Sequence, residues 1–152
     1  MSKISTIHNA IVSKIATNLT SYKQIPNPYL IEGNPLTILS KGFGVAIGPG
    51  ITTERVISCQ TSWERSFIVS LINYVATTDT KTSVRETITK NLLEDHFTLL
   101  GQFSKDSYLS NTAIDAVVSS DGGIELIEID SKPHFLIELE INVEYLEDLT
   151  SL

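Results

Sequence analysis

Between Phe135 and Tyr145 apolar and polar positions alternate almost without a break. Phe135, Ile137, Leu139, Ile141, Val143 and Tyr145 fall on one side, and Glu138, Glu140, Asn142 and Glu144 on the other. A period of two over this length predicts a β-strand with one face in a core and the other in water. At the opposite end of the chain the period changes. Ile4, Ile7, Ile11, Ile15 and Leu19 recur at three- and four-residue spacing with Val12 beside them, which predicts an amphipathic helix over about 4–20.

Between these two patterns lie the remaining elements. Residues 21–41 contain Pro26, Pro28, Gly33 and Pro35 and predict a long irregular loop. Loops of that length in compact domains are usually functional or held by a partner. Gly42 to Gly50 puts Phe43, Val45 and Ile47 on one face and the small residues Gly44, Ala46 and Gly48 on the other. Pro49-Gly50 signals a turn, with a returning strand from Ile51 to Gln60. Trp63 to Ala76 predicts a longer strand: Phe67, Val69 and Leu71 face one way, Ile68, Ile72 and Tyr74 the other. Both of its sides should be partly covered.

A capping box at Ser83-Val84-Arg85-Glu86 opens a second helix over about 84–101, ending near Gly101. Its stripe comprises Val84, Ile88, Leu92, Leu99 and Phe103, widened by Leu93, Phe97 and Leu100. Ser104 to Asn111 follows as polar loop. Strands are expected at about 112–119 and 124–130, joined at Asp121-Gly122-Gly123, and Ser131-Lys132-Pro133 turns the chain into the last strand. The order α-β-β-β-α-β-β-β defines an α+β fold, a mainly antiparallel sheet flanked by two helices. Residues 1–152 are expected to form a single domain of ordinary size, without internal repeats.

Charge narrows the function. The net charge is −7, and the eleven basic residues are scattered, which argues against specific nucleic-acid binding. Charged residues make up only 19% of the chain, so part of the surface is expected to be covered by other subunits. Cys59 is the single cysteine, which excludes an internal disulfide framework and a cysteine zinc site and predicts a buried, inert thiol. No apolar run reaches signal-peptide or membrane-span length, so a reducing cytosol is the expected setting and no membrane partner is expected. The Asn18-Leu19-Thr20 sequon falls inside the helical pattern and reads as incidental.

Candidate chemistry is sparse. Gly42, Gly44 and Gly48 lack the spacing of a dinucleotide loop, position 47 is Ile, and the run continues as strand rather than opening a helix. His8, His96 and His134 have no histidine partner at helical metal-pair spacing, and Glu94-Asp95-His96 reads as a solvated helix face. No Gly-x-Ser-x-Gly elbow is present. Asp115 or Asp121, with Asp130 and Lys132, resembles the Mg²⁺ site of restriction-endonuclease-like nucleases. Against that alternative, Lys132 precedes Pro133 in an expected turn, and the chain has no basic surface to hold DNA. The stripe Glu138, Glu140, Glu144 therefore carries most of the functional signal, with a plain solvated sheet face as its competitor.

Several segments together resemble the tail terminator (tail completion, neck) proteins of long-tailed bacteriophages. They are Lys23-Gln24-Ile25-Pro26-Asn27-Pro28-Tyr29, Lys41 to Gly50, Arg65-Ser66-Phe67-Ile68-Val69, Leu92-Leu93-Glu94-Asp95 and Val143-Glu144-Tyr145-Leu146-Glu147-Asp148-Leu149. The resemblance implies a structural virion protein without catalytic residues or cofactors. It implies a homohexameric ring capping the head-proximal end of the tail tube and docking a neck or connector protein, at the tail–neck junction after assembly in the host cytoplasm. The stripe Glu138, Glu140, Glu144 would face the lumen, where a ring carrying roughly −42, six times −7, lets DNA pass without specific binding. Pro26, Asn27, Pro28 and Tyr29 would form an inter-ring loop, and loops 21–41 and 104–111 would be clamped between rings. A non-viral adaptor that binds a partner along a sheet edge is the remaining alternative.

Overall fold

The computed structural model describes residues 3–25, 41–56, 60–75, 82–109, 111–129 and 132–148. The elements in chain order are α1 (Lys3–Asn18), β1 (Lys23–Gln24), β2 (Lys41–Val56), β3 (Gln60–Tyr74), α2 (Thr82–Ser104), β4 (Asp115–Ser119), β5 (Ile124–Ile129) and β6 (Lys132–Asp148). This is the expected α+β order. The strands build one six-stranded sheet in the order β1-β2-β3-β6-β4, with β5 also on β6. Every pairing is antiparallel except the parallel β1–β2 pair.

The core forms where the odd-numbered side of the sheet meets the helices. Phe43, Phe67, Val69, Leu71, Ile137 and Leu139 pack there against Ile7, Ile11 and Ile15 of α1 and Leu92, Leu99 and Phe103 of α2. Each of these is almost fully removed from water, worth about 1.5–3 kcal/mol apiece for the large aliphatic and aromatic side chains. Among the described residues no helix covers the other side of the sheet. At its lower end a small cluster of Ile25, Ile72 and Leu136, with Ile127, closes it. The upper part, around Glu140 and Glu144, stays exposed.

Several boundaries differ from expectation, each for a physical reason. Pro49-Gly50 is not a turn. β2 runs straight through, with register shifts between Ile47 and Gly50 and between Thr52 and Glu54. A Pro-Gly pair marks bulges in an edge strand as readily as turns, and a Cβ at Gly50 would lie 2.6 Å from the Arg65 guanidinium. The strands expected at 42–50 and 51–60 are therefore one. The third strand before α2 is β1, inside the segment expected to be wholly irregular.

Asp121-Gly122-Gly123 does not fold β5 back on β4. Ser119 pairs with Glu140 and Ile124 with Ile137, so residues 120–123 bulge out opposite 138–139 and the two strands continue along one flank of β6. Gly122 takes φ +68°, and the Gly123 amide donates to Asp121 Oδ1 at 2.8 Å.

α2 passes Gly101, where nothing crowds the backbone, and ends at Ser104. Burying Phe103 outweighs the roughly 1 kcal/mol that glycine costs inside a helix. The helix starts at Thr82, ahead of the expected Ser83 cap, whose side chain lies outside the described residues. The buried positions are Leu92, His96, Leu99 and Phe103, whereas Leu93 and Phe97 are 40% and 74% exposed.

The segment after α2 is packed rather than free. Leu109 is buried despite a left-handed φ of 45°, and Asp106 pairs with Lys14 at 3.1 Å. The described part of 104–111 is thus held within the subunit itself. Cys59, Asp130 and the loop residues Pro26, Asn27, Pro28 and Tyr29 lie outside the described residues.

Candidate functional site: the open face of the sheet

The alternation of β6 places Glu138, Glu140, Asn142 and Glu144 on the side away from both helices. Register decides what stands beside them. Glu144 pairs with Glu64 on β3 and Asp115 on β4, so three carboxylates occupy one row of adjacent strands. All three are exposed. Directly opposed like charges in a sheet oppose pairing by about 0.2–1 kcal/mol per contact. One row along, Asn142 lies between Ser66 and Val117, and Glu140 follows between Ile68 and Ser119. Neither the Lys14–Asp106 nor the Lys41–Asp95 ion pair involves Glu64, Glu140, Glu144 or Asp115.

Glu138 is placed differently from its two companions. It is half-buried, and Ser70, itself 1% exposed, donates to its Oε2 at 3.3 Å. Beside it the 120–123 bulge leaves an open concavity of about 450 Å³, lined by Ile68, Ser119, Ser120, Asp121, Glu138, Leu139 and Glu140. The floor of this bulge is tied to α2. His96 Nε2–H donates to Ser120 Oγ at 2.8 Å, and the serine O–H donates to the Glu138 carbonyl at 2.7 Å. The Gly122 amide completes the serine's shell at 3.1 Å. With its proton committed to a carbonyl, Ser120 acts as a latch between the bulge, β6 and α2. Burial holds His96 below the usual histidine range, and the nearby Asp121 charge opposes that shift in part.

A second polar network anchors the chain between α1 and β2. Tyr22 donates to Asp95 Oδ2 at 2.7 Å and accepts from the buried Asn73 Nδ2 at 2.9 Å. Burial, and after it the Asp95 contact, pushes the Tyr22 phenol well above its ordinary range, offset in part by Asn73. Lys41 lies 3.8 Å from Asp95 and 5.5 Å from the Tyr22 ring centre. This network docks residues 19–25 against α2 and β3.

The nuclease constellation is taken apart by the register. Asp115 stands opposite Glu144 while Lys132 opens β6, twelve residues away by subtraction (144 − 132). At about 3.3 Å per residue that is roughly 40 Å. Asp121 sits in the bulge between Ser119 and Ile124, still some six residues of β6 from Lys132. Lys132 and Pro133 belong to β6 itself rather than to a turn. Among the described residues no group of three or more His, Cys, Asp or Glu side chains is arranged to hold a metal ion, and no helix is long and apolar enough to cross a membrane.

The structure thus gathers Glu138, Glu140 and Glu144 on one face and adds Glu64 and Asp115, which the chain's pattern alone did not connect to them. The alternation of Glu64, Ser66 and Ile68 shows the facing of β3, but only strand pairing puts Glu64 next to Glu144.

No protein-family model and no curated protein matches the chain. Among solved structures, a chain in the virion of a native gene transfer agent particle aligns over 92% of this chain and 93% of its own, at 11% identity and a TM-score of 0.38. A likeness that loose bears on neither fold nor function.

Proposed function

We propose that this chain is a structural virion protein of the tail terminator kind, a ring subunit whose acidic sheet face lines a passage for DNA. The observation that carries the reading is the row Glu64–Glu144–Asp115, with Glu140 two rows further along the same face, exposed and without a cation among the described residues. A fold that sets like charges side by side on a helix-free face gives up stability for a surface that repels polyanions. The segments resembling tail terminators, from Lys23 to Leu149, support the same reading.

On this reading six copies close a ring on the tail tube, with tube protein on one side and a neck or connector protein on the other. Pro26 to Tyr29 would contribute an inter-ring loop. No cofactor is required and no bond is made or broken. The lumen is formed by Glu140 and Glu144 foremost, with Glu138 deeper beside the bulge.

The test is made in the particle. Protein mass spectrometry of purified virions is expected to detect the chain at a few copies per particle. Glu140→Lys with Glu144→Lys is expected to leave particles intact but slow genome passage. Absence from virions refutes the proposal; unchanged DNA release in the double variant refutes the lumen assignment alone.

A further inference from the structure

We infer that copies of this chain join head to tail by pairing the β5 edge of one with the β1 edge of the next, Glu125 meeting Lys23. The inference rests on the ring reading above and names the surface that closes the ring.

Two flanks of the sheet end in strands paired on one side only among the described residues. On the first flank, most of β2 is blunted for pairing by Pro49 and by register breaks at Ile47/Gly50 and Thr52/Glu54. β1 lies beyond these breaks, and both of its residues, Lys23 and Gln24, are exposed. On the second flank, β5 is six residues long, contains neither proline nor glycine, and keeps unbroken register with β6. β4 is likewise paired only with β6, but it lies further along that flank, opposite Glu140–Glu144, and the edges that stand level with each other are β1 and β5.

The register places these edges level with each other. Lys23, Gly42, Ile72, Leu136 and Glu125 form a single row from flank to flank. Paired residues share a face, so the row ends in a cation on one side and a carboxylate on the other. Both are exposed, and neither joins an ion pair among the described residues. Following the pairings across, β1 and β5 run in opposite directions, so a neighbour in the same orientation meets β5 as an antiparallel strand. One row on, Leu126 is 57% exposed, in line with Lys41 at the β1 end. A neighbour's edge covers it. Unlike patches meeting in this way repeat from copy to copy, and they close as a ring when the rotation per copy divides a full turn. The same chemistry disfavours two β5 edges, which would set strands that each carry Glu125 and Glu128 and no cation side by side.

The test compares the wild type with Lys23→Glu, Glu125→Lys and the double charge swap by native mass spectrometry and sedimentation across concentration. Each single variant is expected to raise the concentration needed for assembly on the order of tenfold, and the double swap to bring it back. Hydrogen exchange on the wild type is expected to show residues 124–129 protected in the assembly and open in the dilute monomer. Single variants that assemble like the wild type, a double swap that does not recover, or β5 amides that exchange equally in both states overturn the pairing while the ring stands. A wild type that stays monomeric at every concentration overturns the ring reading, and the pairing with it.

Discussion

Glu144 is the residue at which the cost of the acidic face is measurable. It has a carboxylate on each side, Glu64 and Asp115, at directly paired positions. Charges about 5 Å apart in water repel by roughly 0.8 kcal/mol, and salt near physiological strength, with a screening length of about 8 Å, removes part of that. Glu144→Gln keeps the shape and hydrogen-bonding reach of the side chain while relieving both contacts. The isolated subunit is expected to gain about 0.5–1.5 kcal/mol at low salt, a rise in Tm of a few degrees for a domain of this size. The assay is urea unfolding at low and at molar salt, with the two curves fitted to a common slope. The gain should shrink by at least about half at high salt. No stabilisation at low salt, or a gain indifferent to salt, refutes the idea that this row is held against electrostatic cost.

Other consequences follow from the same geometry. Tyr22→Phe removes the partner of Asn73, which is 3% exposed, and should cost about 1–3 kcal/mol in urea unfolding, with the loss localised by hydrogen exchange to residues 19–25. Gly48→Ala drives a Cβ to 2.4 Å from Ser66 Oγ and should destabilise by about 1–3 kcal/mol, read as a lowered Tm. His96 and His134 are both held below the histidine range, chiefly by burial. The unfolded chain therefore binds more protons, and stability should fall as pH drops below about 6.5. His96→Gln with His134→Gln should flatten that slope between about pH 7 and 5 in chemical unfolding.

What the chain's pattern reveals is whatever a single segment decides for itself. The period of two marks β6 because both of its faces are written in adjacent residues, and the spacing of Ile7, Ile11 and Ile15 marks α1 in the same way. What depends on a distant partner stays hidden. β1 is two residues with no pattern of its own, a strand only because β2 lies beside it. Pro49-Gly50 and Asp121-Gly123 carry turn chemistry, yet each lies along a neighbour long enough to keep the chain straight and make it bulge.

The α2 stripe shows the same limit from another side. Hydropathy favours Phe97, but the phase set by Leu92, Leu99 and Phe103 points His96 inward, and Ser120 satisfies its ring across the bulge. The acidic face was legible for Glu138, Glu140 and Glu144. Glu64 and Asp115 joined it only through register, as did the row that ends in Lys23 and Glu125.

The most direct measurement is an electron cryomicroscopy reconstruction of the protein assembled at high concentration. A closed ring of subunits is expected, with the Glu140–Glu144 face turned to the axis and α1 and α2 on the outside. Monomers throughout, or a ring with the helices facing its bore, would contradict that arrangement.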